Sequence, residues 1–434
     1  MSCTDPRAQG WETVPLRYMC ELNPPVAFDG FDEDEDFTFL PMDRVKSGYF
    51  IPNTDKFSKY GSSYTAFEDG DIILAKVTPC FENGNIAIAD DLVGGKGFGS
   101  SELFVIRPTG AEQRFLFYYF QSSAFKQDGE ASMTGAGGLK RVSPDVLRQH
   151  RLPCPSQDIQ RLIANFLDRE TTRIDGLITE KERMLALLEE KRAAIISHAV
   201  TRGLNPNAPL KPSGEEWLGE IPAHWTLERF KFHVTHIEQG WSPQCDNSPA
   251  EANEWGVLKV GAVNEWVFNP YENKRLPDKI EPLIEYEIRL GDVLMSRANT
   301  VQLLGSVSYV KKINEKLLLC DKLYRLDVDD TTLDREYLVA FMRALPGRFQ
   351  LEREASGTSG SMQNIGQDTV QNVWTTIPPL QEQKMISQYI NDVREKTARM
   401  EDALQSSVCL LRERRAALIA GAVTGHIPLK EMIG

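Results

Sequence analysis

The stretch from Pro155 to Gly203 returns in diverged form from Pro378 to Gly425, and this duplication constrains the fold more than any other feature of the chain. A shift of 223 residues (378 minus 155) sets Pro155 on Pro378, Ile163 on Ile386 and Leu188 on Leu411. It also sets KRAAIISHAVTRG, from Lys191, on RRAALIAGAVTGH, from Arg414. In the first copy a stripe of period 3.5 runs through Ile174, Leu177, Lys181, Met184, Leu188, Lys191 and Ile195; in the second it runs through Thr397, Met400, Leu404, Ser407, Leu411, Arg414 and Leu418. That period belongs to helices that pack along other helices. Neither Pro nor Gly interrupts Leu177 to Val200, so a helix of about 30 residues is expected, roughly 45 Å long at ~1.5 Å per residue. Between Asp158 and Arg202 eight basic residues balance eight acidic ones. A helix lying in a DNA groove would be strongly basic, so each copy is expected to pack against its twin.

The repeat extends beyond the helices. Trp11, Leu16 and Tyr18 are matched by Trp225, Phe230 and Phe232, and FEDGDIILAK from Phe67 by IRLGDVLMSR from Ile288. In both, a Gly-Asp turn leads into an apolar run, the pattern of a turn entering a buried strand. RFLFYYFQSSAF from Arg114 and REYLVAFMRAL from Arg335 then read as a helix covering a sheet. Each unit closes on a glycine-rich segment, TGAGGLKRV from Thr134 or SGTSGSMQNI from Ser356. The expected fold is α+β: two globular α/β-type domains separated by two long helices that form an antiparallel coiled coil, with a pseudo-two-fold internal repeat. The boundaries fall at 1–154 and 225–377 for the globular domains and at 155–203 and 378–434 for the helical regions. Residues 204–224, with four prolines among them counting from Gly203, read as a mostly irregular linker.

At 434 residues each domain has room for its own core. No apolar run approaches 18 residues, and no signal-peptide core stands at the N-terminus, so a cytoplasmic protein is expected. The seven cysteines are scattered without a CxxC pair, which suggests reduced thiols and neither a zinc site nor a disulfide framework. The net charge of −13 opposes contact with nucleic acid, since phosphate contacts supply most affinity in such complexes. Part of it is local, because Asp29 to Asp36 holds six acids and no base, the composition of a solvated loop.

Catalytic motifs are weak. Asn23-Pro24-Pro25-Val26 is similar to the NPPY loop of adenine-N6 methyltransferases but lacks the aromatic that stacks on a flipped base. Gly95, Gly97 and Gly99 lead into a strand-like run instead of a helix, which speaks against a phosphate cradle. No P-loop occurs. His233, His236 and Glu238 have no matching ligands in the other half, so a metal site is not expected. Two similar but unequal domains on a rigid spacer are suited to holding two things at a fixed distance.

Several stretches carry a family resemblance: LDRETTRIDGLITEKERMLALLEEKRAAIISHAVTRGL from Leu167, KPSGEEWLGEIPAHW from Lys211 and IPPLQEQKMI from Ile377. Within the domains, AKVTPCFENGNIAI with GFGSSELFVIRP, and SRANTVQLLGSVSYV with GTSGSMQNI, add to it. Over almost its whole length the chain resembles the specificity subunit, HsdS, of type I restriction-modification systems. The resemblance implies two target-recognition domains, each reading one half of a split, asymmetric site on double-stranded DNA. It implies no catalysis by this chain: two methylation subunits would grip the helical regions, bind S-adenosylmethionine and methylate adenine. Two restriction subunits could add ATP- and Mg2+-dependent translocation and cleavage.

Two readers on one face of a duplex sit about one helical turn apart, roughly 34 Å, within reach of the expected helices. Base readers are expected among side chains such as Arg, Lys, Asn and Gln. The candidates are Lys76, Thr78, Asn83, Lys96, Ser100, Lys140 and Arg141 in the first domain, and Arg297, Asn299, Thr300, Ser359, Gln363 and Asn364 in the second. Lys76 and Arg297 stand at equivalent repeat positions, where a shared fold or phosphate role is an equal alternative. Two other functions stay open on the residues alone: a coiled-coil adapter that binds proteins, and an adenine methyltransferase acting through Asn23 to Val26.

Overall fold

The computed structural model describes residues 10–27, 35–56, 64–135, 138–313, 316–359 and 362–433, with the side chains of 357–359 outside the description. Most of the acidic run at 29–36 therefore lies outside the described residues. The chain divides into two compact units, Met1–Glu182 with Leu404–Gly434, and Arg183–Ala403. Each unit thus holds one globular domain and a segment of both long helices.

In the first unit a four-stranded antiparallel sheet runs in the order Cys20–Leu22, Leu103–Pro108, Ile72–Ala75, Ile86–Ile88. A second, mixed sheet runs Thr54–Lys56, Asp36–Leu40, Lys96–Gly99, Thr65–Glu68. Helix α1 (Gln113–Gln121) lies across the first sheet and buries six consecutive residues, Phe115 to Phe120. Such an unbroken apolar run needs cover on every side, and α1 finds it between the sheet and the long helices. The second unit repeats the plan. Its four-stranded sheet runs Val234–Gln239, Leu323–Val328, Val293–Ser296, Val307–Tyr309. Residues 335–343 supply the covering helix, which buries Tyr337 to Met342 in the same unbroken way.

The repeat is reproduced residue by residue. Leu16 and Phe230 are both fully buried, whereas Tyr18 and Phe232 are 64% and 65% exposed. Gly70 and Gly291 take φ of 95° and 96°, a left-handed conformation open to glycine, which turns the chain into the buried strand. Gly97 and Gly99 lie in a strand; a Cβ at Gly97 would fall 2.5 Å from the Phe67 ring, so these glycines serve packing.

Helix α2 spans Gln157–Arg202, longer than the expected 30 residues; calling the second covering helix α3 (Arg335–Arg343), the other long helix is α4 (Leu380–Val423). The two long helices pair antiparallel within each unit. In the second unit Arg192 bonds Glu401 at 3.1 Å; in the first, Glu182 meets Arg412 at 2.8 Å and Asp175 meets Arg415 at 2.9 Å. As one helix number falls, the other rises.

The seam differs from the expected stripe at alternate positions. Ile174, Leu188 and Ile195, and likewise Leu404, Leu411 and Leu418, are buried or half-buried. Leu177, Met184 and Met400 are instead exposed, at 45%, 52% and 45%. Their places are taken one residue later by Ile178, Leu185 and Arg192 in α2, and by Glu401, Val408 and Arg415 in α4. Both spacings have period 3.5, and α2 is apolar on both, so periodicity alone leaves the phase undecided. The inward arginines decide it: Arg192 and Arg415 lay their stems along the seam and find carboxylates on the facing helix.

Residues 204–224 are less irregular than expected. Leu210–Pro212 pairs antiparallel with Glu220–Pro222, and Ile221 enters the core of the second unit beside Trp225.

Candidate nucleic-acid interface

In each unit the strand that follows the Gly-Asp turn runs out at a junction with the closing glycine-rich segment. In the first unit Val77 bridges Arg141, and Arg141 bridges Thr134. In the second, Ala298 pairs with Asn364, and Asn364 with Ser356. Val142 N donates to Lys76 O at 2.8 Å, and Ile365 N donates to Arg297 O at 2.9 Å. Lys76 N and Arg297 N in turn reach the carbonyls of Glu102 and Lys322 at 3.1 and 3.0 Å. These bonds place Lys76 on Arg297, Arg141 on Asn364 and Glu102 on Lys322 in one common frame.

The structure brings Lys76, Thr78, Lys140 and Arg141 together at the first junction, with Asn83 in the adjoining turn and Ser100 just before Glu102. It brings Arg297, Asn299, Gln363 and Asn364 together at the second, with Thr300 beside them. Backbone pairing places Ser359 opposite Met362 in the same sheet. Lys96 stands apart, in the second sheet, its ammonium held by the carbonyl of Ala27.

Several candidates are engaged by the fold. The Lys76 ammonium donates to Ser101 O at 2.5 Å, and the Arg297 guanidinium donates to the equivalent Asp321 O at 3.2 Å. These side chains tie strand to turn, the fold role left open for them above. Thr78 Oγ1 donates to Gly138 O at 2.9 Å and accepts from Lys140 N at 3.0 Å. Ser100 Oγ accepts from Glu102 N. Asn299 departs most from the reader's role: it is 6% exposed, its Nδ2 donates to Asn264 Oδ1 at 2.9 Å and its Oδ1 accepts from Thr300 N. A buried amide satisfied on both ends is not available to a base edge.

Exposed or half-exposed groups remain at both junctions: Asn83, Lys140 and Arg141 in the first, Thr300, Gln363 and Asn364 in the second. Arg141 is held in a bidentate pair with Glu102, Nε to Oε2 at 2.9 Å and Nη2 to Oε1 at 2.7 Å. That bonding holds the Glu102 carboxyl below its usual range and raises the Arg141 guanidinium above its own. Nothing local in the sequence marks Glu102 or Lys322, although Ser101-Glu102-Leu103 and Asp321-Lys322-Leu323 stand at matching places in the repeat.

The other motifs have structural roles. Asn23 has φ 48°, and its N and Oδ1 both bond the backbone of Val105, at 2.7 and 2.9 Å, so the Asn-Pro-Pro turn ends a strand pairing. His233 is buried beside Thr332 and Glu228, while His236 and Glu238 lie along one strand, with Glu238 paired to Arg325.

Two similar modules thus present unlike polar groups from one frame, each seated on a paired-helix segment. The family model for the type I restriction modification DNA specificity domain matches residues 8–184. The chain is 25% identical over 479 residues to the EcoEI specificity subunit of Escherichia coli, across 92% of this chain and 80% of that one. With the EcoAI specificity subunit of Escherichia coli it shares 35% identity over 163 residues, 36% of this chain and 27% of that one. Among solved structures, a chain from work on complex assembly and conformational transition of the type I R-M system matches with a TM-score of 0.74 at 20% identity, covering 96% of this chain and 99% of that one. The HsdS subunit of Thermoanaerobacter tengcongensis matches with a TM-score of 0.52 at 21% identity, covering 96% and 98%. Over most of its length the chain is thus similar to specificity subunits of type I restriction-modification systems.

Proposed function

We infer that this chain is the DNA-recognition subunit of a type I restriction-modification complex, in which each module reads one half of a split, asymmetric site. The observation that carries this reading is the common junction frame. Identical backbone bonding presents Arg141 and Glu102 in one module and Asn364 and Lys322 in the other, so the two modules recognise unlike sequences. The paired helices set the gap, and their uncovered apolar side chains, Leu177, Met184 and Met400, offer area to methylation subunits. Chemistry belongs to the partners: two methylation subunits with S-adenosylmethionine, and two restriction subunits with ATP and Mg2+. The chain itself is non-catalytic and works in the cytoplasm; no described helix is long and apolar enough to cross a membrane.

The net charge of −13 is compatible with this reading if the partners supply positive surface around the duplex. It also favours the rival reading, a protein-binding adapter, which predicts no salt-sensitive DNA binding by the assembled complex. The deciding experiment replaces residues 20–150 with those of a relative and maps methylated adenines across the host genome. One half-site is expected to change while the other and the gap persist. A change in both half-sites, or in neither, rejects independent reading by the modules.

A further inference from the structure

We propose that Arg141 and Asn364 are the corresponding base readers of the two modules, Arg141 selecting a guanine in one half-site and Asn364 an adenine in the other. Glu102 acts as the positioning residue that aims Arg141. The proposal rests on the DNA-reading function above and adds to it the residue and the base.

The geometry of Arg141 supports it. Its side chain is 46% exposed, and Glu102 occupies the Nε and Nη2 edge through two hydrogen bonds. Nη1 and the second Nη2 hydrogen remain, and they form the end-on fork that matches the O6 and N7 acceptors of guanine in the major groove. A guanidinium fixed on one edge by a carboxylate loses less rotamer freedom when the other edge binds.

At the same backbone position Asn364 is half-exposed; its main chain is held by strand pairing with Ala298 and Ser356, its carbonyl accepts from Ser356 Oγ, and among the described residues none bonds its side-chain amide. Its amide offers one acceptor and one donor side by side, the complement of adenine N6 and N7. The second member of each pair changes with the reader. An arginine is aimed by a carboxylate, Glu102; an asparagine has no charge to anchor, and Lys322 stands there instead, exposed and able to meet a phosphate. A difference in both members at one shared frame is what two readers of different bases require.

The test uses the full chain assembled with its methylation subunits, with methylated-adenine mapping as the readout. Arg141→Ala is expected to relax one position of one half-site, reducing its preference for guanine by roughly 5- to 150-fold, with every other position unchanged. Glu102→Gln is expected to relax the same position to a smaller degree and no other, which a purely structural role would not produce. The double variant Arg141→Asn with Glu102→Lys is expected to shift that position toward adenine. Should the alanine variant fail to assemble, Arg141→Lys keeps the charge, removes the planar fork and must relax the same position. If residues 20–150 exchange a half-site but Arg141→Ala and Arg141→Lys leave every position intact, or loosen several alike, Arg141 is not the reader. If the module exchange itself changes nothing, the DNA-reading function is what has failed.

Discussion

Arg107 grips Asp71 through two hydrogen bonds of 2.8 Å, from Nε to Oδ1 and from Nη2 to Oδ2. The carboxylate sits in the Gly70-Asp71 turn, where it also accepts from Glu68 N, so one buried group fixes both the turn and the neighbouring strand. The second module keeps the plan with Asp292 and Arg325, each arginine also meeting a second carboxylate, Glu68 or Glu238, but Arg325 lies 3.4 Å from Asp292 and is held besides by the carbonyls of Glu285 and Glu287.

Removing the carboxylate in the first module should therefore be the more damaging change. Asp71→Ala leaves Arg107 with Glu68 at its solvent side and two orphaned donors inward. Since that guanidinium is partly exposed, the loss is expected at about 2–3 kcal/mol, somewhat below that for a fully buried pair. Asp292→Ala leaves Arg325 its Glu238 partner and is expected to cost about 1 kcal/mol. Urea unfolding of both variants measures the difference; equal losses would contradict the assigned roles.

A second prediction concerns Gln160 and Gln383, which stand 223 apart (383 minus 160) and make the same bonds. Gln160 Oε1 accepts from Glu112 N at 2.8 Å, and its Nε2 donates to Pro155 O at 2.9 Å. Gln383 does the same for Asp334 N and Pro378 O, each at 2.8 Å. Both side chains are buried, and each joins the start of a long helix to the N-cap of the covering helix. Gln160→Leu fills the space but orphans a donor and an acceptor, an expected loss of about 2 kcal/mol. Amide exchange at Glu112 should accelerate while that of the core strands follows only global stability. Unchanged exchange at Glu112 would count against the clamp.

Much of this plan is legible in the sequence because duplication doubles every signal. The alternation of Leu16 with Tyr18, repeated by Phe230 and Phe232, and the two Gly-Asp turns are cases where one copy is ambiguous and two agree. The Pro-to-Gln spacing that yields the clamp is equally visible, yet nothing local in a Gln announces that it will be buried. The helix seam shows the opposite situation. Leu177 and Ile178 are both apolar at a fitting spacing, and only the carboxylates opposite Arg192 and Arg415 choose between them. At the junctions, residue type suggests Asn299 as a base reader, but its partner Asn264 is 35 residues away in a loop that the sequence does not place.

The helix ends provide a third test. Gly203 and Gly425 have φ of 73° and 77°, and a Cβ on either would lie 3.0 Å from an indole, that of Trp225 or Trp11. Glycine is required twice over, for the left-handed turn and for the close approach of the ring. Gly425→Ala is expected to destabilise its unit by about 1–3 kcal/mol, the left-handed strain plus displacement of Trp11. A shift in tryptophan emission should accompany the loss. Its absence would mean that the Trp11 packing does not depend on this glycine.

The last prediction concerns length. Because the seam repeats every seven residues, a heptad inserted after Thr179, matched by one after Leu411 on the facing helix, keeps every inward position inward. Each insertion lengthens its helix by about 10.5 Å, near three base pairs at roughly 3.4 Å each. Methylation mapping is expected to show both half-sites unchanged and the gap between them longer by about three base pairs. Four residues inserted in α2 alone would rotate the seam out of register with Arg412 and Arg415, and loss of assembly is expected. A heptad pair that alters either half-site at constant gap would show that the helices do not act as the spacer.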